Sequence, residues 1–358
     1  MIYVHVPFCR SFCTYCDFYS EVVCLGRDAD AVGRYCSEVC AEIDIRRDEI
    51  EKTLGCNTLY IGGGTPSVLP LSVLEAIVGR LGYGPYDEFT VEVNPEDVVD
   101  GGAEYACGLV RMGVTRVSMG VQSLDDVVLR RMNRRHDSYS ARKAVSILRG
   151  SGIDNISIDL IFGGLGVDMD KLESTLAGFV SLSPEHISAY QLSVEDGSAL
   201  ASMIARGEYE ELSDDECRMQ YELVCRSLEV AGYEHYEISN WAKPGKRAVH
   251  NSAYWKRLPY VGLGPGAHSF DGEHRSWNTS VRSGWSRESE TLTPEQAREE
   301  AVMLGLRTSD GIESGLCDPD MTERLLHQGL LVRQPETGRL RVPESQMFVS
   351  DSIIEMLA

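Results

Sequence analysis

The sequence predicts an α/β fold, a partial (β/α)6 barrel followed by a small, mainly helical C-terminal domain. Three observations carry that expectation. Short runs rich in β-branched residues alternate with longer amphipathic stretches through the first two-thirds of the chain, as in βαβ units around a parallel sheet. Polar or glycine-rich residues stand at the C-terminal end of every run rather than at one switch point, which is where a β/α barrel assembles its site. From about Tyr236 the alternation stops.

In chain order the runs are Ile2–Val6, Thr58–Ile61, Phe89–Val93, Arg116–Gly120, Asn155–Ile161 and His186–Leu192. Helix-like segments lie at Val32–Lys52, Leu71–Leu81, Ala141–Arg149, Lys171–Val180 and Glu216–Val230. Six units fall short of the eight of a closed barrel, and a doubly wound sheet shows the same alternation. The polar punctuation favours the partial barrel. Cys9 follows the first run, Gly62-Gly63-Gly64-Thr65-Pro66 the second, Glu92-Val93-Asn94-Pro95 the third and Gln122-Ser123 the fourth. Asp159 lies in the fifth, and the sixth runs into Gln191-Leu192-Ser193. Tyr236–Asn240 reads as a further strand, whereas Trp241–His274 has no clear period. Thr293-Pro294-Glu295-Gln296 is a capping box with proline at the first helical position, continued by Ala297, Ala301 and Leu304. A short β-hairpin is expected near Leu340. These changes divide the chain into 1–235, 236–285 and 286–358.

Composition narrows the function. A chain of 358 residues suits two domains, or one with an appendage. With 43% apolar and 25% charged residues, it is not a disordered chain. Lys and Arg number 34 against 55 Asp and Glu, and the net charge of -21 repels a phosphate backbone, so no nucleic-acid partner is expected. No apolar run is long enough to span a membrane, which leaves peripheral contact as the only membrane association open. The N-terminus lacks the pattern of a signal peptide. Eleven cysteines, an odd number, argue for a reducing, cytoplasmic setting with thiols or metal ligands rather than a disulfide framework.

The sharpest chemical signal is Cys9-x3-Cys13-x2-Cys16, directly after the first strand. Three thiolates this close can wrap one soft metal centre. A structural zinc site closes with four ligands, and none stands at a matching local spacing, although Cys24 could complete one from afar. Three cysteines can also hold an iron–sulfur cubane with one iron open. The plain alternative is three small buried side chains. Cys24, Cys36, Cys40, Cys56, Cys107, Cys217, Cys225 and Cys317 form no ligand cluster and read as packing.

The cysteine motif, with the preceding Tyr3-x-His5-x-Pro7-Phe8, resembles the radical S-adenosylmethionine (SAM) superfamily. More narrowly, the chain resembles the family of oxygen-independent coproporphyrinogen III oxidase and its heme-chaperone relatives. That resemblance implies a [4Fe-4S] cluster on Cys9, Cys13 and Cys16, with SAM chelating the open iron and being cleaved by an electron from the cluster. Tyr15 beside Cys16 would help to exclude water. The resemblance makes Gly63-Gly64-Thr65-Pro66 the glycine motif that meets the methionine amino group. It also makes Tyr3, Glu92, Gln122, Arg134 and Asp159 SAM-contacting positions, with Arg134 pairing the carboxylate.

Two departures point to the chaperone branch. The oxidases carry a further cysteine two residues after the third, where this chain has Phe18, and an N-terminal extension that this chain lacks. A lesser departure is Phe162-Gly163-Gly164-Leu165-Gly166, where the family has a Gly-Leu-Pro-Gly turn. His250-Asn251-Ser252-Ala253-Tyr254-Trp255 matches a His-Asn-x-x-Tyr-Trp segment associated with heme in that branch. His250 is then the expected axial ligand, with Tyr254 and Trp255 flanking the porphyrin. Gly262-Leu263-Gly264-Pro265-Gly266-Ala267-His268 is not a dinucleotide fingerprint, since no strand–loop–helix frames it. His268 could face SAM, ligate heme or only pack.

The leading expectation is therefore a heme chaperone with a radical-SAM core, partnered by heme, heme-recipient proteins and an electron donor, and without coproporphyrinogen III oxidase activity. The alternatives are the oxidase itself, which decarboxylates coproporphyrinogen III, and a radical-SAM enzyme acting on tRNA, which the acidic balance disfavours.

Overall fold

The computed structural model describes residues 1–17 and 19–357. Six parallel strands pair in chain order: β1 (Ile2–Val6), β2 (Thr58–Gly63), β3 (Glu88–Val93), β4 (Arg116–Gln122), β5 (Ile156–Phe162) and β6 (His186–Gln191). Three further strands widen this sheet to nine: the one expected over Tyr236–Asn240 is two, parted by a turn at residues 238–239, and the third comes from the segment without a period. β7 (Glu234–Glu237) and β8 (Asn240–Ala242) run antiparallel beyond β6, with β8 next to it, and β9 (Val261–Leu263) lies parallel beside β1. β10 (His268–Phe270), β11 (His274–Asn278) and β12 (Arg287–Thr291) form a separate antiparallel sheet. Most of these pieces are three to five residues long, too short to display a period.

The barrel helices are α1 (Leu25–Ile45), α2 (Arg47–Thr53), α3 (Leu71–Leu81), α4 (Pro95–Met112), α5 (Asp126–Arg131), α6 (Ser138–Gly150), α7 (Met169–Leu182), α8 (Ala199–Ala205) and α9 (Asp214–Val230). The single helix expected over Val32–Lys52 is two. It breaks at Arg46, whose buried guanidinium turns inward to the Gly262 carbonyl at 2.6 Å and the Ser269 hydroxyl at 3.0 Å. The helix α4 went unseen because Gly101-Gly102 interrupts its pattern, and Gly102 takes a φ of +56° inside it.

One face of each strand is apolar and packs under the helices. Ile61, Val91, Met119 and Ile158 are fully buried there, each contributing about 1.5–3 kcal/mol of burial free energy. The face turned into the barrel carries Tyr60, Glu92, Ser118, Asp159 and Tyr190 instead, so the interior is polar. At the N-terminal ends of the strands, α10 (Val249–Trp255) closes the barrel. Glu88, the first residue of β3, accepts hydrogen bonds from the Val249 and His250 amides at 2.8 and 3.0 Å.

Beyond the barrel, α11 (Pro294–Leu306), α12 (Pro319–His327) and α13 (Ser350–Glu355) gather around a second core that includes Leu306, Ile312, Leu325, Leu340 and Ile353. The hairpin near Leu340 pairs Val332–Arg333 with Leu340–Arg341. Among the described residues no helix is long and apolar enough to cross a membrane, and no disulfide joins two cysteines.

Candidate functional site

A pocket opens at the C-terminal ends of the barrel strands, the end to which the sequence assigned its polar punctuation. Cys9, Cys13, Cys16, Gly63, Gly64, Thr65, Glu92, Gln122, Arg134 and Asp159 all line it. Phe8–Cys9 pairs with Glu21–Val22, which folds the cysteine loop back over the mouth. Phe18, where the oxidases carry their further cysteine, lies outside the described residues.

Cys9 Sγ stands 3.5 Å from Thr65 Oγ1, and burial raises its thiol pKa. Cys13 Sγ accepts a hydrogen bond from Arg134 Nη1 at 3.3 Å. The Arg134 Nη2 donates to Asn94 Oδ1 and to the Gly120 carbonyl, both at 2.5 Å, while Nε is buried without a partner. Asn94, the N-cap of α4, in turn donates from Nδ2 to Thr65 Oγ1 at 3.3 Å. One arginine therefore ties the cysteine loop to the ends of β3 and β4.

No three His, Cys, Asp or Glu side chains among the described residues converge on a single ion. A cubane places its three liganded irons at separate corners, so its thiolates stand wider apart than the ligands of one ion. Three thiols around one pocket, with no fourth ligand converging among the described residues, fit that donor set.

The glycines answer to three different neighbours. A Cβ on Gly62 would stand 2.6 Å from Tyr60 Cε1 and 2.9 Å from Glu92 Cδ. On Gly63, at a φ of +111°, it would meet the His5 ring at 2.6 Å, and on Gly64 the Phe8 carbonyl oxygen at 2.7 Å. Only a bare backbone fits between these groups and still borders the pocket. At the end of β4, a register shift past Gly120 and a φ of 67° at Gln122 turn the chain out of the sheet. A left-handed non-glycine residue costs about 1–3 kcal/mol and is held where the surroundings over-determine it.

Two of the carboxylates that line the pocket, Glu92 and Asp159, are hard to ionise. Burial, then the nearby Asp159 charge, raises the Glu92 pKa to about 7 against the pull of two hydrogen bonds, from Tyr60 and the Gly63 amide. Burial likewise lifts Asp159 to about 6, with Arg116 opposing. A cationic ligand in this pocket would recover both charges.

Tyr3 and His250 are not brought to the pocket. Tyr3 lies beneath it, its hydroxyl 3.0 Å from His5 Nδ1, and His5 Nε2 donates to the Tyr19 carbonyl at 2.9 Å. His250 is wholly buried at the opposite end of the barrel. Its Nδ1 is 2.8 Å from Thr58 Oγ1 and its Nε2 is 3.0 Å from the Tyr254 hydroxyl. Burial lowers its pKa to about 3, so the ring is neutral. Both nitrogens of the expected axial ligand are thus engaged within the fold, and the ring has no exposed surface. His268 is exposed and stacks near Trp277, with centroids 6.0 Å apart, away from the pocket lining. Residues that sequence reasoning passed over include Tyr60, Ser118 and Tyr190. Period-two alternation back from Gly62 places Tyr60 on the inward face of its strand, a signal that was readable.

Comparison with known proteins adds the relatives. The radical SAM superfamily model matches residues 3–177. The chain is 33% identical over 375 residues to the heme chaperone HemW of Mycobacterium tuberculosis, spanning 99% of this chain and 94% of that protein. It is 34% identical over 322 residues to the heme chaperone HemW of Lactococcus lactis, covering 87% of this chain and 82% of that one. Among solved structures, Escherichia coli coproporphyrinogen III oxidase (HemN) superposes with a TM-score of 0.81 over 99% of this chain and 89% of that chain, at 19% identity. That likeness concerns the fold.

Proposed function

The chain belongs to the HemW family of radical SAM proteins, and from that membership we propose that it is a heme chaperone, which binds heme and passes it to recipient proteins. The observation that carries the reading is identity of about a third to HemW proteins along almost the whole chain, the C-terminal domain included.

The radical SAM family implies a [4Fe-4S] cluster and SAM, and the pocket residues suit both. Cys9, Cys13 and Cys16 would hold the cluster, and Arg134 would steady the Cys13 thiolate by the hydrogen bond it already makes. When bound, the cluster supplies one-electron reducing power to SAM, from an electron donor that remains a partner to be identified. Gly63 and Gly64 leave the backbone open to the ligand, Gln122 borders it, and Glu92 and Asp159 face its positive charges. Tyr15, half-buried beside the cysteines, would help to keep water from the cluster side.

Heme needs a second surface. Trp255, the outer end of the His-Asn-x-x-Tyr-Trp segment, lines a cleft between the barrel base and the C-terminal domain together with Arg247, Lys256, Arg257 and Arg339. Asp310 pairs with Arg247 at 3.3 Å and with Lys256 at 3.5 Å. Arg257 pairs with Glu300 at 2.8 Å and Arg339 with Glu313 at 2.6 Å, so a porphyrin over the flat aromatic would set its propionates in competition with the carboxylates that now hold these cations. We place heme there, and the protein in a reducing cytoplasm.

The test is a heme titration set beside an anaerobic incubation with coproporphyrinogen III, SAM and a reductant. Heme should bind stoichiometrically with a shifted Soret band that Trp255→Ala weakens, and coproporphyrinogen should remain unconverted. Robust formation of protoporphyrinogen without heme binding would move the chain to the oxidases.

A further inference from the structure

Beneath the pocket, the inner face of β2 presents Thr58, Tyr60 and Gly62 in succession, by the period-two alternation of a strand. Thr58 holds His250 Nδ1 at 2.8 Å. The His250 ring lies against Tyr60, with centroids 5.2 Å apart and planes tilted by 33°. The Tyr60 hydroxyl donates to Glu92 Oε1 at 2.6 Å, and the Gly63 amide donates to Glu92 Oε2 at 3.0 Å. A contiguous column therefore runs from α10, at the base of the barrel, to a carboxylate in the pocket at its mouth. Gly62 is shaped to it. Any side chain there would drive into Tyr60 at 2.6 Å and Glu92 at 2.9 Å, so the first glycine of the triplet lets phenol and carboxylate meet.

We propose that His250 and Tyr60 form an internal column that positions Glu92, which makes the histidine of the His-Asn-x-x-Tyr-Trp segment a positioning residue for the cofactor pocket. The proposal rests on the reading of that pocket as the SAM site. Two donors on two oxygens fix the plane of the Glu92 carboxylate, and the wedge of His250 behind the phenol keeps the first donor in place. Tyr254 and Thr58 hold the wedge, and Glu88 anchors its helix.

The column has an electrostatic consequence as well. The charged and titratable groups that face Glu92 are Tyr3 on β1, Tyr60 on β2, Arg116 on β4, Asp159 on β5 and Tyr190 on β6. Arg116 and the Tyr60 hydrogen bond favour the ionised carboxylate, and Asp159 opposes it. Removal of the Tyr60 hydroxyl leaves Glu92 to ionise at a higher pH.

Tyr60→Phe deletes one oxygen and keeps the ring. SAM binding to cluster-loaded protein, followed by calorimetry across about pH 6 to 8, should show Kd raised about tenfold near neutrality, the range expected for a hydrogen bond to a charged group. The rise of affinity with pH should move upward. His250→Gln should shift binding in the same direction, and the double variant should match Tyr60→Phe rather than the sum, because both act through one path. Heme titration of His250→Gln should keep its Soret band. An unchanged Kd and pH profile in Tyr60→Phe overturns the column, as do additive effects in the double variant or a His250→Gln protein that loses heme with SAM binding intact. A wild-type protein that does not bind SAM at all refutes the pocket reading, and the column with it.

Discussion

Burial is the main reason that Glu92 and Asp159 hold their protons to about pH 7 and about pH 6, with the Asp159 charge adding to the effect on Glu92. The sign of the consequence follows. In the empty protein a carboxyl raised from 4.5 to about 7 contributes stability that is present below the unfolded value and is lost as pH rises through the folded one. SAM, which is cationic, would bind the ionised forms. Its affinity should therefore climb as pH passes from about 6 to about 7, with protons released on binding. Calorimetry in two buffers of different ionisation enthalpy reads that release directly, and a flat affinity with none would contradict the assignment. The cysteines allow an independent check. Reconstituted protein should carry about four irons, and replacement of Cys9, Cys13 or Cys16 by Ala should remove the brown chromophore. A triple variant that keeps a full cluster would leave the motif without its role.

Individual elements show which parts of the molecule were legible beforehand. The six strands were readable because each carries a β-branched run ended by polar or glycine residues, and the pocket residues sit at those ends. Thr293 was readable as a cap, and in the structure the Gln296 amide donates to Thr293 Oγ1 at 3.2 Å while Gln296 Oε1 accepts from the Thr293 amide at 2.9 Å. Thr293→Ala should cost about 1 kcal/mol in a denaturant titration that follows the C-terminal domain. A change below a few tenths would show the box to be idle. α10 was not legible as an element. Its meaning lies in partners far away in the chain, Glu88 and Thr58, which local pattern cannot reveal. His250 looked like a ligand because its motif matches a heme-associated segment and an imidazole suits iron, while the Thr58 contact that engages its Nδ1 comes from 192 residues away. The three consecutive glycines were readable as a site, but their separate reasons, Tyr60 with Glu92, His5 and Phe8, needed the fold. Gly64→Ala should destabilise the cysteine loop by about 1–3 kcal/mol, since its Cβ would stand 2.7 Å from the Phe8 carbonyl oxygen. Thermal melting of the apoprotein measures this, and an unaltered melting temperature would show that the loop can shift aside.

At the scale of the whole molecule, the two ends of the barrel hold different chemistry. The strand C-termini carry the thiols and carboxylates that suit a cluster and SAM. The base carries α10, Trp255 and a cleft against the C-terminal domain lined by ion-paired Arg247, Lys256, Arg257 and Arg339. A porphyrin in that cleft would be bounded by two domains and exposed on one side, which suits a ligand that must be handed on rather than kept. The most direct test of this account is transfer. Heme-loaded protein is mixed with the apo form of a heme enzyme, and the acceptor's spectrum and activity are followed in time, with free heme at the same concentration plus a heme-scavenging apoprotein as the control. The account predicts that the acceptor gains heme at the expense of the donor's Soret band, by a route the scavenger does not intercept. Heme that stays with the donor, or that reaches the acceptor only through free solution, would contradict it.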